Sequence, residues 1–229
     1  MANLAPSPTS IITIDGPAGV GKSTLARQVA DALGIAYLDT GAMFRTIALK
    51  SVGAPAFEQD VPDGKALLNH IGPLVFSLTG SGDSTEIWCN GSRIGKEIRT
   101  EQAGMMAAKI ATVPEVRELL KTLQQNLGQH ASLVAEGRDT GTIIFPNAPH
   151  KIFLDATVEV RAERRMKQLQ AAGEPADITA ITTLIRERDE KDRNRPIAPL
   201  KPAPDAVIID TSHKNLEQVF SAIMQAIGR

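Results

Sequence analysis

The sequence of 229 residues has little of several features, and each shortage excludes a class of protein. A single cysteine, Cys89, excludes an internal disulfide and a cysteine metal cluster. The net charge of −1 gives no sign of a polyanion-binding coat, so we expect no nucleic-acid partner. No apolar run approaches the roughly 20 residues that a membrane helix needs, so we expect no membrane partner either.

The first ten residues, MANLAPSPTS, lack the basic and apolar regions of a signal peptide. We therefore expect residues 1–10 to be a flexible lead-in and residues 11–229 to form a single domain. Hydrophobic residues make up 42% and charged residues 22% of the chain, which is typical of a globular protein. A cytoplasmic location fits this composition and the scarcity of cysteine.

The most informative stretch of the sequence is IITIDGPAGVGKST, residues 11–24. A strand-like apolar run ends in Asp15, and the residues that follow fit the pattern G-x-x-x-x-G-K-[ST] of a phosphate-binding loop, or P-loop. The glycines allow a tight turn whose backbone N–H groups point at an anion, and the next helix presents its N-terminus to the same anion. The predicted nucleotide ligands are Gly16, Pro17, Ala18, Gly19, Val20, Gly21, Lys22, Ser23 and Thr24.

Two side chains of this loop have predicted chemical roles. Lys22 can reach the outer phosphates of a nucleoside triphosphate, and we expect it to be an exposed loop residue that contributes little to the core. The hydroxyl of Ser23 can bind Mg²⁺.

The remaining periodicity predicts helices that alternate with short buried strands, which gives a three-layer α/β fold around a parallel sheet. Predicted strands lie at 133–135, 152–154 and 206–210. Predicted helices lie after the loop up to Gly34, at about 41–50 with Asp39 or Thr40 as its cap, at 99–110, from Pro114 to Gly128, after Thr157, at about 178–195 and at 216–227. Residues 53–72 give no clear pattern.

Residues 70–97 show a period of two and the turn signal Asn90-Gly91, which together predict a small antiparallel β meander. We interpret it as an insert over a binding cleft. The alternative is that these strands extend the main sheet, although short antiparallel strands seldom extend a parallel core.

Charged residues directly follow one predicted strand, and two further arginines lie on predicted helices. The strand at 133–135 is followed by Glu136, Arg138 and Asp139, and ligands of open parallel sheets bind beyond the carboxyl ends of strands. We favour a functional site there over a structural ion pair. Arg45, one turn into its helix, is interpreted as an anion contact, and Arg117 either rims a pocket or is solvated.

Two later helices carry basic residues. Arg161, Arg164 and Arg165 have i, i+3, i+4 spacing, which indicates one basic face and a lid at about 161–178, or else a solvated face. In the next helix, the apolar face that begins with Ile181 and Ile185 continues as Arg188, Asp192 and Arg195. This favours a helix that enters an anion-binding cleft, although Arg188 and Asp192 could also form a plain i, i+4 ion pair.

The arginines exceed what a triphosphate alone requires, so the sequence predicts a second anionic ligand and phosphoryl transfer between two small molecules. No N-K-x-D element is present, which argues against a GTPase. Two alternatives stay open: a kinase for another monophosphate, and a module that binds ATP without transferring phosphate.

The motifs GPAGVGKST, LDTGAMFR, IGKEIRT, VAEGRDTGTIIFPNA, KIFLDA and RERDEKDRNRPIAPL together resemble those of the bacterial cytidylate kinases, from about Ile11 to Ile227. The resemblance implies a nucleoside monophosphate kinase core with a nucleotide-binding insert and a helical lid. It also implies that the protein transfers a phosphoryl group from ATP to CMP and dCMP with Mg²⁺ as cofactor, and that Lys22, Arg138 and Arg188 are catalytic residues. We expect a monomer.

The same resemblance implies roles for individual residues. Thr40 would lie near the sugar and phosphate of the acceptor, and Asp192 would accept from a ribose hydroxyl. The acceptor phosphate would be bound by Arg45, Arg138 and Arg188, the cytosine by Arg117 and Asp139, and the lid and phosphoryl side by Arg164, Arg165 and Arg195.

Two residues depart from the pattern of the family. Phe44 stands where tyrosine is common, and Ala108 stands where a serine usually contacts the base. We expect the absence of the serine hydroxyl at Ala108 to weaken the discrimination between CMP and UMP.

Overall fold

A computed structural model describes residues 10–229, so the predicted lead-in lies outside the described residues except for Ser10. The strands are β1 (Ile11–Asp15), β2 (Ala36–Asp39), β3 (Phe76–Thr79), β4 (Glu86–Cys89), β5 (Ser92–Arg93), β6 (Leu133–Gly137), β7 (His150–Asp155) and β8 (Val207–Asp210). The helices are α1 (Lys22–Leu33), α2 (Thr40–Lys50), α3 (Pro55–Glu58), α4 (Gly64–Ile71), α5 (Glu101–Ile110), α6 (Pro114–His130), α7 (Val158–Ala171), α8 (Ile178–Asn194) and α9 (Leu216–Ala226).

The main sheet has five strands in the order β2-β6-β1-β7-β8, and every neighbouring pair is parallel. The register places Asp15 beside Gly137, Asp39 beside Glu136 and Asp155 beside Asp210. Acidic residues from different parts of the chain therefore meet at the carboxyl edge of one sheet, where ligands of such folds bind.

Alternating residues of the central strand β1 belong to the two sides of the core, as expected for a strand with a side-chain period of two. Ile12 and Ile14 pack with α1 and α9, whereas Ile11 packs with the apolar residues of α2 and α6. Helices thus cover both faces of the sheet, and the predicted three-layer α/β fold is confirmed.

The second sheet is antiparallel, has the order β3-β4-β5 and is separate from the main sheet. The prediction of an antiparallel meander is confirmed, and the alternative of an extended main sheet is wrong. Asn90 and Gly91 have φ values of 51° and 76°, as the tight turn between β4 and β5 requires. The sheet is attached to the body of the protein by Gly82, whose N–H donates to the carbonyl of Ile35 at 2.8 Å.

Side-chain caps explain where several helices begin. The carboxylate of Asp39 accepts from the N–H of Ala42, which decides between the two predicted caps, Asp39 and Thr40. The hydroxyl of Thr157 accepts from the N–H of Val160, as predicted. The sequence missed α3 and α4, which lie in the stretch 53–72. No helix within residues 10–229 is long and apolar enough to cross a membrane.

Candidate functional site

The loop between β1 and α1 has the backbone of a phosphate-binding turn. Gly16 has φ of 150°, and a Cβ there would lie 2.1 Å from the carbonyl oxygen of Leu154 in β7, so only glycine fits. Gly21 has φ of 93° and immediately precedes α1, which begins without a side-chain cap. The free N–H groups of the first turn of α1 therefore point at the space enclosed by the loop.

Lys22 is the first residue of α1, and its side chain is buried rather than exposed. Its Nζ donates to the carbonyl oxygen of Pro17 at 2.6 Å. Burial and the positive charge of Arg138 lower the pKa of Lys22 to about 7, with a smaller contribution from Arg188. The prediction of an exposed loop lysine is wrong, because the loop folds over the side chain and withdraws the ammonium group from water.

Among the other residues of the loop, one packs in the core and two are exposed. Val20 is buried in the core between the sheet, α1 and α9. Ser23 and Thr24 lie exposed on the first turn of α1, where both hydroxyls are open to a ligand.

The carboxylate of Asp15 connects this loop to the segment after β6. It accepts hydrogen bonds from the N–H of Thr140 at 2.9 Å, the hydroxyl of Thr140 at 2.8 Å and the N–H of Gly141 at 2.7 Å. Burial raises the pKa of Asp15 to about 6, although these bonds oppose the shift. Sequence reasoning assigned no role to Asp15, although an acid at the end of an apolar strand was a usable signal.

Glu136 is the penultimate residue of β6, beside the phosphate loop, and is also buried. It accepts from the hydroxyl of Tyr37 at 2.5 Å, while its backbone carbonyl accepts from the hydroxyl of Thr40 at 2.7 Å. Burial and the charge of Asp39 raise the pKa of Glu136, and Lys22 and a hydrogen bond with Ser23 oppose the shift.

This arrangement fits a Mg²⁺ ion bound together with nucleotide phosphates. Among residues 10–229 no group of three or more His, Cys, Asp or Glu side chains could hold a metal alone. Mg²⁺ typically takes one or two protein oxygens and completes its coordination with phosphates and water. The hydroxyl of Ser23 and the carboxylate of Glu136 can provide those oxygens, and the sequence had identified only Ser23.

The arginines predicted to bind a second anion gather in one cluster with acidic partners. Arg45 pairs with Asp39 at 2.9 Å and Arg138 with Asp192 at 2.9 Å. Arg117 pairs closely with Asp139. The cluster therefore draws on the end of β2, on α2 and α6, on the residues after β6, and on α8 with the residue that follows it. It is called the arginine cluster below and consists of Arg45, Arg117, Arg138, Arg188, Arg195, Asp39, Asp139 and Asp192.

The hydrogen-bonding capacity of this cluster is only partly used. The buried Nε of Arg45 and Nη2 of Arg195 have no hydrogen-bond partner within residues 10–229. In the same part of the chain Arg188 has neither an ion pair nor a hydrogen bond. Partial withdrawal from water and the charge of Arg138 lower the pKa of Arg188. Buried donors without an acceptor, together with an arginine that lies beside another cation, are what an anion-binding site requires.

The acidic members of the cluster respond differently to their surroundings. Burial raises the pKa of Asp139, although Arg117 and Arg195 oppose the shift. Burial acts in the same direction on Asp192, but Arg138 and Arg195 hold the pKa of Asp192 below its usual range. Asp192 therefore remains a charged acceptor, as a residue that binds a ribose hydroxyl would need to be.

The geometry bears on three interpretations that the sequence left open, and it decides two of them. Arg117 is buried, so the solvated alternative is wrong, and its guanidinium lies 5.5 Å from the centre of the Phe44 ring. Of the charges that follow the strand, Asp139 pairs with Arg117 of α6 and Arg138 with Asp192 of α8, so neither pairs with the other, and the functional role of this segment stays a prediction. Asp192 pairs with Arg138 and not with Arg188, so the plain i, i+4 pair of α8 is not formed.

The prediction of one basic face on α7 is wrong. Arg161 is turned inward and is 1% exposed, because it pairs with Asp189 of α8. Arg164 donates to the backbone and side-chain oxygens of Thr211, at 2.7 and 3.0 Å. Arg165 alone of the three is exposed, and the assignment of Arg164 and Arg165 to the nucleotide stays a prediction.

The parallel sheet, the glycine-rich loop and the open helix N-terminus define a P-loop nucleotide-binding protein. Comparison with solved structures agrees with this fold. An uncharacterized protein from Eubacterium ventriosum ATCC 27560 is similar with a TM-score of 0.52 and 12% identity, over 96% of this chain and 98% of that chain.

Comparison with known sequences defines the family. A family model described as "Cytidylate kinase" matches residues 12–229. A cytidylate kinase of Nitratidesulfovibrio vulgaris (strain Hildenborough) is 54% identical over 97% of this chain and 94% of its own length. One of Oleidesulfovibrio alaskensis is 52% identical over 95% and 97% of the two chains. The chain belongs to the cytidylate kinase family.

Proposed function

We propose that this protein transfers the terminal phosphoryl group of ATP to CMP and dCMP, giving CDP and dCDP, with Mg²⁺ as the cofactor. Membership of the cytidylate kinase family supports the acceptor, and the phosphate loop supports the triphosphate donor. Small nucleotides are then the only partners that the activity requires. The cytoplasmic location and the monomeric state stay predictions.

One observation carries the proposal: the phosphate loop and the arginine cluster are electrostatically adjacent. The charges of Arg138 and Arg188 lower the pKa of Lys22, so both arginines lie close enough to the lysine ammonium group for their charges to act on it. Without an anion, such an arrangement would be costly, because like charges repel most strongly where water is excluded. Two phosphates that meet there, one from each nucleotide, would neutralise it.

The mechanism needs no protein nucleophile. Lys22 and the N–H groups of the loop would hold the outer phosphates of ATP, and Ser23 with Glu136 would hold Mg²⁺, which neutralises charge on the donor phosphates. Arg45, Arg138 and Arg188 would orient the CMP phosphate for in-line attack. The protein therefore acts by alignment and by stabilising the charge of the transferred group.

Recognition of the nucleoside would come from the remaining members of the cluster. Asp139, held by Arg117 and Arg195, would face the cytosine, and Asp192 the ribose. Thr40, at the first turn of α2, would lie near the sugar and phosphate. The antiparallel sheet at about 70–97 would serve as the nucleotide-binding insert, and residues 161–178 as the lid.

The alternative of an ATP-binding module without transfer predicts no second anion site. The arginine cluster argues against it, because the unused donors of Arg45 and Arg195 have no function in such a module.

A pair of variants of α8 tests the two-site arrangement. Arg188→Met removes a cation that has no ion-pair partner within residues 10–229, and we expect kcat with CMP to fall by about 100-fold or more. Arg186→Met is the matched control, because Arg186 lies two residues earlier and pairs with Glu159 at the surface. Steady-state kinetics should leave the control within about twofold of wild type. Equal activity of Arg188→Met and wild type would contradict the mechanism.

A further inference from the structure

Arg161 of α7 makes an unusually complete set of contacts for a residue outside the two ligand sites. Its Nε donates to the carbonyl of Ala156 at 3.0 Å, and its two terminal nitrogens donate to the carboxylate of Asp189 at 3.0 and 2.5 Å. A fourth bond runs from Nη1 to the carbonyl of Ala18 at 3.2 Å. The planar guanidinium group therefore has acceptors on three sides, namely the carbonyl of Ala156, the carboxylate of Asp189 and the carbonyl of Ala18, and these hold the side chain in one geometry.

The fourth bond connects Arg161 to the phosphate loop. A Cβ added at Gly19 would lie 3.2 Å from the Cβ of Arg161, so the loop backbone rests directly on this side chain. Gly19 has φ of 83°, and its N–H is one of those that the motif directs at phosphate. The position of the loop at Ala18 and Gly19 thus depends on where Arg161 lies.

The ion pair connects the same side chain to the acceptor side. Asp189 is buried, and it directly follows Arg188 and lies one turn before Asp192 in α8. Both neighbours belong to the arginine cluster. A displacement of α8 would therefore be transmitted by the guanidinium of Arg161 to the loop that holds the donor.

Packing alone gives little reason for this arrangement. Buried ion pairs are often no more stabilising than apolar side chains of similar volume. A second pair, Arg186 with Glu159, joins the same two helices at the surface, with both side chains more than 60% exposed, and it has no bond to the phosphate loop. Of these two pairs, it is the buried one that links the helices to the loop.

We propose that Arg161 is a positioning residue that, through Asp189, couples the placement of Arg188 and Asp192 to the placement of the phosphate loop. Binding of one nucleotide then strengthens binding of the other. The identity of these nucleotides rests on the proposed function.

A double variant tests the coupling without leaving a buried charge unpaired. Arg161→Met/Asp189→Leu removes both charges, and Glu159→Gln/Arg186→Met is the matched surface control. The affinity for CMP is measured with and without a non-hydrolysable ATP analogue and Mg²⁺, together with kcat and the melting temperature. In wild type and control we expect the analogue to tighten CMP binding by about fivefold or more.

In the double variant we expect this enhancement to vanish and kcat to fall by about tenfold or more, with little change in melting temperature. Wild-type coupling in the double variant would overturn the proposal. If the double variant does not fold, Arg161→Lys replaces it, because lysine keeps a charge for Asp189 but cannot also reach Ala18. Unchanged coupling in Arg161→Lys would likewise overturn the proposal.

Hydrogen exchange of the amides at 18–21 separates this proposal from the proposed function. In Arg161→Lys without nucleotides we expect these amides to exchange faster than in wild type, whereas unchanged exchange would count against the positioning role. A wild-type protein that binds the ATP analogue but not CMP would contradict the proposed function and leave the exchange result unaffected.

Discussion

Lys22 provides the most quantitative prediction, because its side chain is only partly protonated at neutral pH in the protein without nucleotides. Burial and the charge of Arg138 lower its pKa to about 7, from an ordinary value of 10.5. The phosphates of ATP bring negative charge to the same place. Binding should therefore raise the pKa of Lys22 again, and the protein should take up a proton from solution.

The size of this uptake can be estimated. One unit of negative charge at about 4 Å, at an effective dielectric constant of about 20, attracts the ammonium group by about 4 kcal/mol. At about 1.4 kcal/mol per pKa unit, the pKa of Lys22 rises by about three units, to about 10. At pH 8 the side chain is then about one-tenth protonated when empty and almost fully protonated when occupied, an uptake of about 0.9 proton.

Calorimetric titration with Mg²⁺ and a non-hydrolysable ATP analogue measures this number. The binding enthalpy is determined at pH 8 in buffers of different ionisation enthalpy, and the slope gives the protons taken up. Lys22→Met is the control, because it keeps the stem of the side chain but cannot be protonated. Equal uptake by wild type and Lys22→Met would refute the assignment of the titrating group to Lys22.

Three further variants test other parts of the site. Ala108→Ser should restore a hydroxyl near the base and raise the CMP/UMP ratio of kcat/KM by several-fold, about 1 kcal/mol, and an unchanged ratio would contradict the predicted register. Asp139→Asn should raise KM for CMP by more than tenfold with little effect on ATP, and lower the unfolding free energy by about 3 kcal/mol because Arg117 loses its partner. Equal losses for both nucleotides would assign Asp139 to the donor side. Asp15 has a folded pKa of about 6 against 3.8, so its contribution to stability is lost as pH rises from about 4 to 6. The stability advantage of wild type over Asp15→Asn, from urea unfolding, should fall by about 3 kcal/mol over that range, and a rising advantage would contradict the sign.

Much of the fold could be predicted because the signals that specify it are local in the sequence. The glycine pattern specified a turn that only glycine fits at Gly16, and the acids at strand ends marked the carboxyl edge of the sheet. The turn at Asn90-Gly91 specified a hairpin that the structure contains. Each of these signals depends on a few adjacent residues, which a sequence displays directly.

The features that were missed depend on partners distant in sequence. Nothing local distinguishes Arg161 from Arg164 and Arg165, and its burial follows from Asp189, 28 residues later. The burial of Lys22 follows from the way the loop folds over its own side chain, and the role of Asp15 follows from donors 125 residues away. Helical spacing can predict which side chains share a face, but not which face finds an ion-pair partner.

The most direct test of the proposed function is the release of ADP from Mg-ATP with CMP, dCMP, UMP and AMP offered separately. The site predicts the highest kcat/KM with CMP and dCMP, and lower but measurable turnover with UMP, because Ala108 lacks the hydroxyl that the family pattern places near the base. Binding of ATP without turnover of any of the four would contradict the assignment and favour a module that binds ATP without transferring phosphate.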